Sequence, residues 1–162
     1  MNSNSSSLFS LAHDLLTYGL DGSPIYADQF TRLNRDVYER AIELYNIHGA
    51  TAEEEAELCL GLLVAFAATI YDNGCKQEYI QSGLDRSWEG LPILLPKLSA
   101  SLLKVRLLTY CYGEFYDESL AKEAHEIINT WDKAGLSPEQ AEIAEELKGF
   151  EENQYPFEEV EE

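Results

Sequence analysis

The sequence predicts an all-α protein, a single-domain bundle of about six to seven helices, with stacked helical hairpins as the alternative arrangement. Apolar side chains recur at the three- and four-residue spacing of amphipathic helices. Helix-capping and turn signals divide these segments at short intervals, as in bundles of antiparallel helices. No segment reads convincingly as a strand. The chain has 162 residues, 45% of them apolar, which is enough for one domain with a core.

The first two predicted helices are amphipathic. A serine of the polar N-terminal stretch is expected to cap a helix over residues 7–18, and the residues before it are expected to fray. A second helix is expected over residues 27–45, with Asp28 as its cap. A Gly- and Pro-containing turn separates the two helices.

The third predicted helix is the most apolar. It begins at the N-cap residue Thr51, which is followed by the acidic first turn of Glu53 and Glu54. Residues 58–70 are apolar nearly all round, which is typical of the buried centre of a bundle. Gly61 and the alanines after it allow close approach of neighbouring helices. An Asp-Asn-Gly turn is expected to end this helix.

Four more helices follow, expected over residues 76–89, 99–112, 118–134 and 138–148. Pro92 and Pro96 mark a linker between the first two of these. Asp117 is the expected cap of the sixth helix. Ser137 and Gln140 form a capping-box pattern at the start of the seventh.

The charge of the chain is negative and unevenly placed. There are 30 Asp and Glu against 11 Lys and Arg, a net charge of −19, and residues 139–162 contain ten glutamates and one lysine. We expect a helical domain over residues 1–150 and an acidic C-terminal tail over residues 151–162. The tail is either solvated or docks its apolar side chains while its glutamates face a basic partner. The candidate contact residues there are Glu151, Glu152, Tyr155, Phe157, Glu158 and Glu159.

A group of tyrosines gives a second candidate contact surface. Tyr110, Tyr112 and Tyr116 stand around one predicted bend. Tyrosine is enriched in protein interfaces, so these rings are candidates for a partner-facing patch. Core packing with the hydroxyl groups reaching the surface is the alternative.

The composition narrows the function classes. A net charge of −19 argues against binding nucleic acid or an anionic membrane, and favours a basic protein partner. The three cysteines and three histidines have no metal-ligand spacing, and no nucleophile elbow or phosphate loop is present. We therefore expect no enzyme activity, no metal and no cofactor.

The N-terminus lacks the pattern of a signal peptide, which predicts a cytoplasmic protein. A homodimer remains open.

Five segments, spread over most of the chain, carry a family resemblance: DGSPIY at 21–26, ATIYDNG at 68–74, LLTYCYGE at 107–114, AHEII at 124–128 and YPFEEVEE at 155–162. Together they resemble the UpxZ family, the transcription antitermination antagonists of Bacteroides.

The resemblance implies a regulatory role. UpxZ-like proteins are encoded in capsular polysaccharide loci and inhibit UpxY antiterminators, which are NusG-like factors that let RNA polymerase read through a locus. It therefore implies a NusG-like partner of the UpxY type, and an effect on competing capsule operons. The alternatives are a helical adaptor or scaffold without a transcriptional role and, less well supported by the residues, an enzyme of capsule synthesis or a metal-dependent hydrolase.

Overall fold

The protein is all-α, as the sequence predicts. The computed structural model describes residues 2–19, 22, 24–70 and 77–153. These residues form seven α-helices and one short 3₁₀ helix, Leu95–Lys97, and contain no strand. The helices are α1 (Asn2–Leu16), α2 (Ala27–Leu44), α3 (Ala52–Ala68), α4 (Gln77–Leu94), α5 (Leu102–Phe115), α6 (Glu118–Ile128) and α7 (Pro138–Asn153).

The chain divides into two compact units, residues 1–97 and 98–162. In the first unit α3 packs against α1, α2 and α4. In the second unit α5 packs against both α6 and α7. The division predicted from sequence, a domain over residues 1–150 and a tail after it, stays a prediction, although α7 continues past this boundary to Asn153.

Helix α3 is the buried centre of the first unit, as predicted. Every residue from 58 to 65 is buried. A Cβ atom at Gly61 would lie 3.1 Å from Leu8 of α1, so this glycine allows the two helices to approach closely. Gly83 of α4 has the same role, because a Cβ there would lie 3.0 Å from Leu62. The close packing of α3 therefore depends on small residues both on α3 and on a neighbouring helix.

The predicted caps of three helices are confirmed. The backbone N–H of Glu54 donates to the Thr51 hydroxyl at the start of α3, over 3.1 Å. Asp117 caps α6 by accepting from the N–H of Ser119. At the start of α7, Ser137 and Gln140 exchange two hydrogen bonds of 2.9 and 3.1 Å between side chain and backbone, which completes the capping box.

The predicted ends of the early helices need correction. Helix α1 begins at Asn2 rather than residue 7, and serine has only a modest helix penalty, so the start signal was weak. Asp28 is not the cap of α2: Tyr26 occupies the N-cap position without a side-chain hydrogen bond, and Asp28 lies in the first turn. Helix α3 ends at Ala68, and the predicted turn at residues 72–74 lies outside the described residues.

Helix α4 passes through the segment that was predicted to be a linker. It continues to Leu94 with Pro92 inside it. A proline beyond the first turn of a helix costs about 3 kcal/mol, because it removes one backbone hydrogen bond and its ring crowds the carbonyl four residues earlier. Leu91 and Leu94 are both buried, and burying a leucine contributes about 1.5–3 kcal/mol. These contributions offset the cost of the proline.

The helices of the second unit also differ from the predicted bounds. Helix α5 begins at Leu102, after its cap Ser101, and ends at Phe115, so both of its ends lie three residues beyond the predicted bounds. Helix α6 ends at Ile128, because the side chains of Thr130 and Asp132 then bond to nearby backbone groups in place of further helix. Helix α7 continues through Gly149, and the ring of Phe150 packs edge-on against Tyr110 of α5, with the centroids 6.0 Å apart.

A substitution at Gly49 tests how closely the segment that joins α2 to α3 packs against the start of α3. A Cβ atom at Gly49 would lie 2.5 Å from the backbone nitrogen of Glu55, and backbone atoms there cannot move aside. We expect Gly49→Ala to lower the free energy of unfolding by about 1–3 kcal/mol, the usual range for overpacking. Urea unfolding followed by circular dichroism measures the change.

The matched control is Gly90→Ala in α4, where a Cβ would meet no atom of the described residues within 4 Å. Replacing a helical glycine by alanine raises stability by about 0.5–1 kcal/mol. Equal effects of the two substitutions would contradict this account.

Candidate protein-binding surfaces

The second unit carries most of the negative charge. Residues 98–162 contain sixteen Asp and Glu against five Lys and Arg, a net charge of −11. Residues 1–97 have a net charge of −8. Of the five basic residues in the second unit, Lys104 is largely buried and pairs with Glu123 over 2.8 Å. Little positive charge therefore offsets the carboxylates on the surface of this unit.

Helix α7 turns carboxylates outward. Its buried face consists of Ile143 and Leu147, which lie in the core of the second unit. Four of its glutamates are exposed on the other faces: Glu139, Glu142, Glu145 and Glu152. The outer faces of α7 are therefore acidic.

Two of the predicted contact tyrosines lie in the core. Tyr110 is 3% exposed and Tyr112 is fully buried. The Tyr110 hydroxyl donates to Glu146 over 2.6 Å, and burial together with the Glu146 carboxylate raises the pKa of Tyr110. The Tyr112 hydroxyl donates to Glu118 over 3.2 Å. Both rings are buried and cannot contact a partner in this structure. For these two tyrosines the structure agrees with the alternative, which is packing in the core.

Tyr116 remains exposed. It closes α5 in the left-handed conformation, with φ of 54°, and packs edge-on against Tyr112 with the ring centroids 5.5 Å apart. The residue is 39% exposed, more than either of the other two predicted tyrosines. It stays a candidate contact residue.

The predicted acidic contacts are only partly within the described residues. Glu151 accepts from His125 of α6 over 3.0 Å, and Glu152 is exposed. The other four lie outside the described residues, and their role stays a prediction: Tyr155, Phe157, Glu158 and Glu159.

A polar network that the sequence did not reveal joins three helices of the first unit. Arg86 of α4 donates to the carbonyl oxygen of Tyr45, just after α2, over 2.9 Å, and to the Glu55 carboxylate in α3 over 2.7 Å. The other oxygen of Glu55 accepts from the N–H of Gly49 over 2.8 Å. His48 lies 3.2 Å from the same carboxylate. Arg86 and Glu55 are 31 residues apart, so no local pattern signals their pairing.

The network keeps Glu55 ionised. Burial alone would raise the pKa of this carboxyl, but the hydrogen bonds from Arg86 and Gly49 and the charge of Arg86 lower it below its ordinary value of 4.5. The same surroundings act in the opposite direction on Cys59, whose pKa is raised to about 11 by burial and by the Glu55 charge. This buried thiol therefore stays protonated at neutral pH.

A groove of about 370 Å³ lies beside this network. One wall is the segment leading into α3, and the other is the end of α4 with the 3₁₀ turn after it. Ile93, at 67% exposure, lies on the second wall. The lining residues are His48, Gly49, Ala50, Thr51, Ala52, Glu55, Gly90, Ile93, Leu94 and Lys97.

The described residues offer no metal centre and no membrane span. Among them, no three His, Cys, Asp or Glu side chains are grouped so that they could hold a metal ion. None of the helices in the described part of the chain is long and apolar enough to cross a bilayer.

The sequence and the structure both resemble known transcriptional antagonists. A model of the UpxZ family of transcription anti-terminator antagonists matches residues 5–113. The chain is 48% identical to a transcription anti-terminator antagonist UpxZ from Bacteroides uniformis, known from a crystal structure. That alignment covers 99% of this chain and 98% of the other, with a TM-score of 0.81. No curated protein matches the sequence.

The Arg86 network predicts a large effect of a single substitution. Arg86→Met leaves the Glu55 carboxylate without its charged partner, and breaking a largely buried ion pair costs about 3 kcal/mol. Chemical unfolding at pH 7 measures this loss. Arg40→Met is the control, because Arg40 lies on the surface and pairs with Glu43 at 3.7 Å, a contact worth about 0.5 kcal/mol or less. Losses of similar size in the two variants would contradict the role of the network.

The lowered pKa of Glu55 predicts a pH dependence. A carboxyl with a lowered pKa in the folded state stabilises the fold above its unfolded-state pKa, near 4.5, and loses this contribution as pH falls through the folded value. The stability difference between the wild type and Glu55→Gln should be largest at neutral pH and shrink below about pH 4.5. Unfolding curves of both proteins at pH 7 and pH 3 test this. A difference that is constant across that range would be evidence against it.

Proposed function

This chain belongs to the UpxZ family of transcription anti-terminator antagonists, and we propose that it inhibits NusG-like antitermination factors of the UpxY type by binding them directly. Its effect would be to limit expression of competing capsular polysaccharide operons. The observation that supports the proposal most strongly is the likeness in sequence and fold, over nearly the whole chain, to an anti-terminator antagonist. The proposal locates the protein in the cytoplasm, where transcription takes place.

The electrostatics favour a basic protein partner. The net charge of −19 attracts a basic surface and repels nucleic acid, so the antagonist would act on the factor and not on the transcript. Opposite charges speed encounter and disfavour wrong partners.

We infer a steric and electrostatic mode of inhibition. The antagonist would cover the face by which a NusG-like factor meets RNA polymerase or nucleic acid. Carboxylates of α7 and of the segment after it would occupy positions near basic side chains of the factor, and so imitate the charge of the competitor. Tyr116, exposed at the end of α5, would add an aromatic contact in the same unit.

A truncation that tests the C-terminal segment has to leave α7 whole, and α7 runs to Asn153. Deleting from residue 150 onward would remove Phe150, which packs against Tyr110, and Glu151, which pairs with His125. A chain ending at Asn153 keeps the whole of α7. It still loses four glutamates together with Tyr155 and Phe157.

We expect the chain ending at Asn153 to bind a purified UpxY-type factor at least tenfold more weakly, about 1.4 kcal/mol, because both charged and aromatic contacts are lost. Fluorescence anisotropy at two salt concentrations measures the affinity. The full chain should lose more affinity with added salt than the shortened one, because salt screens exposed charge pairs.

The control is a full-length chain with the four glutamates after residue 157 changed to glutamine. It separates the loss of charge from the loss of the aromatic side chains. Equal affinity of the full-length and shortened chains would rule out a contact by residues 154–162. Failure of the full chain to bind any such factor would favour the adaptor alternative.

A further inference from the structure

The last turn of α7 is helical although its own sequence disfavours a helix there. Gly149 lowers helix stability relative to alanine, and a Cβ atom there would meet nothing within 4 Å among the described residues, so packing does not require this glycine. Glu151 and Glu152 then place two negative charges at the C-terminal end, where the helix dipole is unfavourable to them. The helix nevertheless continues to Asn153. Contacts with other helices therefore hold this turn.

Helix α5 provides the apolar part of this contact. A Cβ atom on Gly113 would lie 2.9 Å from the ring of Phe150, so the ring lies directly against the backbone of α5. The same ring packs edge-on against Tyr110, whose hydroxyl donates to Glu146 one turn earlier in α7. These contacts hold α7 against α5 on both sides of Gly149.

Helix α6 provides the polar part of the contact. The Nε2 atom of His125 lies 3.0 Å from each carboxylate oxygen of Glu151. The two side chains are 47% and 30% exposed, so the pair lies at the surface and contributes little to the stability of the whole protein. Its effect is local, because it joins α6 to the turn of α7 in which the helix signals of the sequence are weakest.

The path of this turn decides where carboxylates lie. Glu145 and Glu152 are both exposed and are two helical turns apart, so a continuous helix places them on the same face. If the helix ended before Gly149, as its local sequence predicts, Glu152 would leave this face. Binding would also have to order residues 149–153 before the acidic segment that follows them could contact a partner, and this cost in entropy lowers affinity.

We propose that His125 is a positioning residue for the contact with the antitermination factor. By pairing with Glu151, it holds the last turn of α7 in helical form. This turn aligns Glu152 with Glu145 and fixes the point at which residues 154–162 begin. The inference rests on the proposed function, because it concerns the same acidic surface and the same partner. It assigns a role to a residue of α6 that acts through Glu151 and not by touching the factor.

His125→Leu tests the inference, because it removes the N–H group whose hydrogen bond Glu151 accepts. The variant should bind a purified UpxY-type factor at least threefold more weakly, while its melting temperature changes little, because a half-exposed pair contributes little to global stability. Hydrogen exchange, measured by mass spectrometry, should become faster in residues 150–153. Loss of a histidine cannot weaken the attraction to a basic factor through net charge, so charge alone does not explain the expected result.

Two further variants are controls. His125→Gln retains a side-chain N–H group that can donate to Glu151, and it should restore most of the affinity. His48→Leu makes the same replacement in the first unit, where His48 lies 3.2 Å from Glu55, and it should bind the factor as the wild type does. Affinity as weak in His125→Gln as in His125→Leu, or an equal loss in His48→Leu, would overturn the inference.

A shortened chain separates positioning from a general loss of structure. A chain that ends at Asn153 and carries Glu152→Gln lacks the groups that the turn positions, so His125→Leu should not weaken its binding further. Equal weakening in the full-length and shortened chains would show a purely structural role, and an unchanged affinity of the full-length variant would show no role. Either result would overturn the inference but leave the proposed function standing. A wild-type chain that binds no factor would overturn both.

Discussion

Helix α3 must be covered on nearly all sides, and the architecture of the first unit follows from that requirement. Its residues 58–65 are all buried, so α1, α2 and α4 have to surround it. Close approach is possible because Gly61 faces Leu8 and Gly83 faces Leu62. Gly90 lies two turns after Gly83 on the same face of α4. A Cβ atom there would meet nothing within 4 Å among the described residues, and the groove opens at this level. The helix that organises the core therefore also sets the place of the groove.

The sequence predicted the features that local chemistry determines. Each of these features depends on a few neighbouring residues. They are the hydroxyl caps of Thr51 and Ser137 and the apolar side chains on all faces of α3. Features that depend on residues far apart were not predicted. The pairing of Arg86 with Glu55 joins separate helices, and Pro92 stays in α4 because buried leucines on both sides hold the helix against the core.

The candidate sites were predicted with uneven success for the same reason. Net charge is additive along the chain, so the acidic character of the C-terminal third was visible in the sequence. Burial is a tertiary property, and a run of tyrosines did not show which of them reach the surface. Tyr112 lies in the core and Tyr116 on the surface, although they are one helical turn apart. The groove was invisible for a further reason: Gly90 resembles any other helical glycine until the packing of its face is known.

The central claim is that this chain recognises a NusG-like antitermination factor by direct contact. Co-purification from cells that express a set of UpxY-type factors tests this claim most directly. The tagged chain should retain a subset of the factors, and rising salt should release them, because exposed charges contribute to the contact. Retention of none of the factors at low salt would contradict it.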